Sequence, residues 1–314
     1  MQSDIIVDII EEEILKYGKP LLDILLKDRT TNQNIIWAIS DYSKLGDLYK
    51  ANCEIATRLI IGSKTKVIQP RITKTQKKQS NRTRERAEVF TPSWICNEQN
   101  NLIDEQWFGR KNAFNKQLNQ SWQINTEKID FPERKGRSWK NYVDARRMEI
   151  TCGEAPYLVS RYDTVTGEPI ELQARIGLLD RKLRVVSENV DDIEEWFKWT
   201  ERAFQSVYGY EYQGDNLLLA RENLLYTFID NMVYKFNRRP ELKELKRIAT
   251  IISWNIWQMD GITFTVPLCD MRVLLQQQSF LNFKDNSPER KFCRIKNWRS
   301  KVIVEYAFLL KGGK

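Results

Sequence analysis

Residues 207 to 211 read VYGYE and run directly into the leucine-rich stretch NLLLARENLL. An alternating apolar run that ends in an acid and gives way at once to a helical pattern places Glu211 at a strand tip. A carboxylate there offers two acceptor oxygens on a rigid support, the arrangement that many nucleotide-binding sheets use to hold a ribose. The competing account is a surface acid at a helix start, where the helix dipole favours negative charge.

Other chemistries are closed to this chain. Its 314 residues include no histidine, which removes the commonest metal ligand and the commonest general base near neutral pH. Ser-His-Asp, Cys-His and His-metal sites are therefore excluded. Cys53, Cys96, Cys152, Cys269 and Cys293 are scattered without C-x-x-C spacing, so reduced thiols are expected, with no metal cluster and no disulfide framework. No run of about eighteen apolar residues suggests a membrane span, and the N-terminus lacks the plan of a signal peptide, so a cytoplasmic protein without a membrane partner is expected.

Fifty basic and forty-two acidic residues give a net charge of +8, a mild lean toward polyanions. The excess is concentrated: Lys64 to Arg86 holds nine basic residues and one acid, Glu85. That run reads as a solvated arm or linker, with nucleic-acid contact as the sharper alternative.

The elements that must position Glu211 follow from periodicity and punctuation. Two helical patterns, Ile5 to Leu15 and Leu21 to Leu26, flank Gly18 and Pro20 and predict a helical hairpin. NIIWAISDYSKLG suits a buried strand or short helix, and LYKANCEIATRLI a further helix. The Thr91-Pro92 pair ends a strand and starts a helix. Residues 111 to 140 are polar and irregular, anchored by Trp122 and Trp139.

Residues 146 to 163 give a short strand, a Gly-Glu-Ala-Pro turn and a helix start, and Thr166-Gly167 the turn of a hairpin. A helix capped by Asn189 or Asp191 and packed through Trp196, Trp199 and Phe204 leads to the strand ending at Glu211. The helix over NLLLARENLLYTFIDNMVYKF and another opened by Pro240 follow, and a strand is expected in KVIVEYAFLL.

Three pieces stand in order: EVFTP at 88 to 92, EITCGEAPYL at 149 to 158, and VYGYE at 207 to 211 followed by LARENLL. Together they resemble the S-adenosylmethionine site of the amino-methyltransferases that modify adenine in DNA, the modification subunits of restriction systems. The resemblance implies that Phe90, Thr91 and Pro92 line the cofactor pocket. Glu149, Cys152 and Gly153 would form the first strand and its turn, with helix-N-terminal amides facing the cofactor carboxylate. Glu211 would accept both ribose hydroxyls, and Asp260 in NIWQMDG would hold the adenine amino group.

The departures are equally concrete. Ala155 stands where the family loop usually has a second glycine, and Asp260 follows what reads as a helix. No Asn/Asp-Pro-Pro-Tyr/Phe tetrapeptide, which holds the target amine in that family, occurs; the nearest element is TVPLCD. About fifty residues follow Asp260, fewer than the rest of a complete methyltransferase sheet requires.

The expected architecture is α/β: a helical N-terminal unit over residues 1–62, a basic arm or linker over 63–87, and an incomplete, Rossmann-like methyltransferase-type domain over 88–314. The expected function is an S-adenosylmethionine-binding DNA adenine methyltransferase-like protein with DNA and a protein subunit as partners. The alternative is an inactive homologue serving as a binding subunit or as a modulator of host defence.

Overall fold

Long-range backbone pairing decides the shape of the N-terminal segment. The computed structural model describes residues 11–64, 66–75, 79–80, 82–84, 90–269 and 291–310. Helices α1 (Glu11–Tyr17) and α2 (Lys19–Leu26) form the expected hairpin; the part of it over residues 5–10 lies outside the described residues. Gly18 between them takes φ 136°, a conformation that side chains with a Cβ resist.

The stretch after α2 is extended, and its amides and carbonyls are taken by residues 51–55, with Ile55 N–H donating to Ile35 O and Ala38 N–H to Ala51 O, each at 2.8 Å. LYKANCEIATRLI therefore folds into turns and an extended return instead of the expected helix, because its backbone groups are spent on distant partners.

Helix α3 (Ser93–Phe108) starts immediately after Pro92, as predicted, and ends at Gly109 with φ 71°. The strand expected just before it lies almost wholly outside the described residues. Residues 111 to 140 are more ordered than their polarity suggests: β1 (Asn115–Leu118) and β2 (Ser121–Ile124) pair as an antiparallel hairpin. Trp122 anchors it by donating to Ala174 O at 2.8 Å. Trp139 opens α4 (Trp139–Asp144) and packs edge-on against Trp199, ring centroids 4.9 Å apart.

Strand β3 (Arg147–Glu149), helices α5 (Leu178–Asn189) and α6 (Ile193–Gln205), strand β4 (Val207–Glu211), helices α7 (Gly214–Phe236) and α8 (Leu242–Asn255) and strand β5 (Ile256–Gln258) then follow. The strands form a three-stranded sheet in the order β3-β4-β5, parallel throughout. Parallel strands joined through helices make this part α/β in character. The cap of α6 is Asp192, next to the residues anticipated, and Trp196 and Phe204 are buried on its inner face.

The hairpin at Thr166-Gly167 forms, closed by a Tyr162–Pro169 bridge. No helix follows the turn after β3; the chain runs through turns and reaches α5 only at Leu178. Near the C-terminal side, β6 (Arg294–Asn297) and β7 (Val302–Glu305) pair antiparallel and α9 (Tyr306–Leu310) follows. KVIVEYAFLL is thus divided between a strand and a short helix.

Helix α7 is the centre of the packing, buried from Gly214 through Ile229. Its start passes so close to the N-terminal segment that a Cβ on Gly214 would lie 2.0 Å from Ile36 O. About two turns later, the Arg221 guanidinium donates to Ile256 O at 2.8 Å, to Lys27 O at 3.0 Å and to Leu25 O. One hydrophobic core runs from Ile14 to Ile256, so the N-terminal helices and the sheet share it. Neither oxygen of the fully buried Glu222 has a hydrogen-bond partner among the described residues.

Gly214→Ala is expected to lower stability by about 3 kcal/mol through overpacking against backbone, measurable by urea denaturation. Glu222 is pushed well up by burial and then by Glu11, and Glu11 by burial to about 7. The folded chain therefore keeps protons that the unfolded chain has released. Stability should fall as pH rises from the ordinary carboxyl range through about 7. Glu222→Met should raise the melting temperature at neutral pH and flatten that decline; an unchanged pH profile would refute the assignment.

Candidate functional site

The C-terminal tips of β3 and β4 open on a cavity of about 650 Å³. Phe90, Thr91, Glu149, Cys152, Gly153 and Glu211 all line it, drawn from three stretches far apart in sequence. The sheet register explains the convergence. Glu149 pairs with Gly209, so the two strand tips lie side by side and Glu211 extends two residues further. Gly209 keeps the tips close, since a Cβ there would sit 3.3 Å from Cys152 Sγ.

The loop after β3 takes an unusual path. Thr151, Gly153 and Ala155 have φ of 46°, 53° and 65°, alternating with residues of negative φ. Alternation of this kind turns successive amides toward one point and forms a concave, anion-binding backbone. Here the amides of Cys152, Gly153 and Ala155 are spent within the protein, on Tyr210 O, Glu211 and Cys152 O. Ala155, at the position of the family's second glycine, holds the left-handed conformation despite its Cβ and is fully buried. The Gly153 amide is given to Glu211 Oε2 at 2.9 Å, and the amides of Tyr157 and Leu158 to Glu149 at 3.3 and 3.1 Å.

Glu211 is buried, not a surface acid. Its Oε1 accepts from the amides of Tyr212 and Gln213, both at 3.0 Å, which also fixes the strand-to-helix turn into α7. Three of its roughly four acceptor positions are thus occupied. As held, the carboxylate can accept one ribose hydroxyl; accepting both, as expected from sequence, requires the Gly153 amide to let go.

Burial raises the Glu211 carboxyl, opposed by these amides, and burial raises Glu149 well above the ordinary range. Cys152 is pushed well up by burial and by both acids, so it is a neutral thiol and not a nucleophile. Among the described residues no lysine or arginine lines the cavity, while Phe90, Tyr157 and Tyr212 contribute rings. Glu211, whose charged form three amides support, and the aromatic faces favour a cationic ligand over an anionic one.

The basic run supplies part of the wall's support. Arg71 lies over the Phe90 ring at 5.0 Å, and its amide donates to Glu154 at 2.7 Å. Arg82 and Lys74 are buried, contrary to the reading of this run as a solvated arm. Arg82 donates to Asp215 at 2.8 Å and to Gln213 at 2.6 Å, and Lys74 reaches Asp215 at 3.4 Å, with Tyr42 OH at 2.7 Å. Burial would raise the Asp215 carboxyl, but Lys74 and Arg82 outweigh it and hold it far below its usual range. Sequence reasoning missed Arg82, Gln213 and Asp215; an acid in the first turn of α7 is the one local signal, and its cation comes from more than a hundred residues away.

Two anticipated ligands are elsewhere. Pro92 caps α3 beside Thr91 and does not line the cavity. Asp260 follows a strand, not a helix, and its Oδ1 accepts the amides of Ile262 and Thr263 at 2.8 and 3.2 Å, closing a turn beyond β5. It too is absent from the cavity lining.

No protein-family model, curated protein or solved structure matches this chain. Among the described residues no group of three or more His, Cys, Asp and Glu side chains could hold a metal ion, and no helix is long and apolar enough to cross a membrane.

Arg82→Met should leave buried Asp215 with Lys74, at 3.4 Å, in place of a closer guanidinium, and cost about 3 kcal/mol of stability in urea denaturation at neutral pH. A loss below about 1 kcal/mol, the size of an exposed pair, would show that the cluster is not buried in solution.

Proposed function

We propose that the strand-tip cavity binds S-adenosylmethionine and that the chain is a DNA adenine methyltransferase-like protein of the restriction-modification type. The observation that carries this reading is the convergence of Phe90, Thr91, Glu149, Cys152, Gly153 and Glu211 on one cavity at the tips of adjacent parallel strands. The chemistry of the lining fits the cofactor. Glu211 keeps acceptor capacity for a ribose hydroxyl. Glu211 and the aromatic rings, with no base beside them among the described lining residues, suit a sulfonium cation and disfavour phosphate-bearing ligands.

The bound cofactor would supply an electrophilic methyl group. The chain's own contribution, on this reading, is to bind and orient: Glu211 holds the ribose, and the rings of Phe90, Tyr157 and Tyr212 enclose the ligand. A second reading, a catalytically inactive homologue working as a DNA- or protein-binding subunit, is favoured by one observation. The sequence contains no Asn/Asp-Pro-Pro-Tyr/Phe tetrapeptide.

Calorimetric titration tests the common element. S-adenosylmethionine is expected to bind in the micromolar range, ATP is not, and Glu211→Ala should weaken binding at least about tenfold, the loss of one charge-assisted hydrogen bond. No heat and no thermal stabilisation of the wild type would overturn the proposal, and undiminished affinity in Glu211→Ala would overturn the ribose assignment. Methyl transfer to adenine-containing DNA then separates the two readings.

A further inference from the structure

A second cavity, of about 430 Å³, lies between the β1–β2 hairpin on one side and α5 and α7 on the other, and shares no lining residue with the strand-tip cavity. Its volume falls within the roughly 300–1,000 Å³ that ligand pockets span. Its charge is opposite in sign. Arg175, Arg181, Arg184 and Lys235 line it against Asp180 and Glu188. The acids that pair with Arg175, Arg181 and Lys235 are Asp230, Asp104 and Asp191, none of which lines the cavity.

Donor capacity remains on this lining. Arg184 gives Nε to Glu188 at 2.7 Å and Nη2 to the carbonyls of Asn125 and Glu127 at 2.7 and 2.9 Å, leaving Nη1 without a partner among the described residues. Lys235 commits two of its three N–H groups, to Ser187 O at 2.8 Å and to Asp191 at 2.6 Å. Asn231 donates to Thr227 O at 2.8 Å, and its Oδ1 has no partner among the described residues. The Tyr234 ring, 60% exposed, stands at the rim and offers a flat face.

We propose that this cavity binds a nucleoside monophosphate whose base carries an exocyclic amine. Arg184 Nη1 and the third N–H of Lys235 take the phosphate, Tyr234 stacks on the base, and Asn231 Oδ1 accepts from the amine. The site is independent of the cofactor reading.

The test is calorimetry on the full chain with AMP, CMP, UMP and inorganic phosphate, repeated in Lys235→Gln, Tyr234→Ala and Glu211→Ala. AMP or CMP should bind more tightly than UMP and inorganic phosphate. Lys235→Gln and Tyr234→Ala should each weaken binding by about tenfold with an unchanged melting temperature. Glu211→Ala, and saturation with S-adenosylhomocysteine, should leave it unaltered. The proposal is overturned if no nucleotide binds at about millimolar concentration, or if both cavity variants bind as the wild type does. It is equally overturned if S-adenosylhomocysteine displaces the nucleotide, which would place it at the strand tips.

Discussion

A carboxylate taken out of water must be supplied with donors, and this requirement organises most of the irregular backbone in the chain. Glu211 collects the amides of Gly153, Tyr212 and Gln213, and Glu149 those of Tyr157 and Leu158. Asp180 takes the amides of Ser160 and Gly177, and Asp163 that of Ser93 at the start of α3. Glu154 joins the Arg71 amide to the Tyr162 hydroxyl. A three-stranded sheet with strands of three to five residues satisfies few backbone groups by itself. The long excursion between β3 and α5 is held in place by acids that act as fixed acceptors, each tying its segment to another.

The same logic places charge inside α7. Over Gly214 to Ile229, α7 is buried on all sides and has no solvent face for Asp215, Arg221 and Glu222. Asp215 receives Arg82, Lys74 and Tyr42, and Arg221 receives carbonyls from α2 and from the end of α8. These contacts tie residues before 85 to the sheet through polar groups as well as through the core. Glu222 has no such partner among the described residues, and burial answers by favouring its protonated form.

Periodic and punctuated segments were legible in sequence. The α1–α2 hairpin, the start of α3 at Pro92, the pair α6–β4 and the long α7 all lie where apolar spacing and capping residues put them. The site was legible where it rests on strand tips, at Glu149, Cys152, Gly153 and Glu211, because a strand end followed by a turn leaves a local trace. What was not legible depends on partners distant in sequence. The 48–60 stretch has a helical pattern, yet its Ile55 amide donates to Ile35 O and its Ala51 and Cys53 carbonyls accept from Ala38 and Trp37. Lys74 and Arg82 have the composition of a solvated arm, and only the fold reveals Asp215 opposite them. Asp260 has the right order along the chain but spends its carboxylate on its own turn.

The charge of the strand-tip cavity follows from how the acids there are held. Glu149 and Glu211 are fixed by backbone amides, which neutralise a carboxylate only in part and bring no counter-charge of their own. Arg71 and Arg82 are engaged elsewhere, one over the Phe90 ring and the other on Asp215, and neither lines the cavity. A ligand entering the cavity therefore meets the Glu211 carboxylate and aromatic faces, which suit a cation better than a phosphate. Between β1–β2 and α5 the arrangement is inverted, with cations facing inward and three of their acids behind them. In each cavity the sign is set by which partner of an ion pair or amide clamp is turned toward the open space, a choice made by the packing and not by the chain's overall charge.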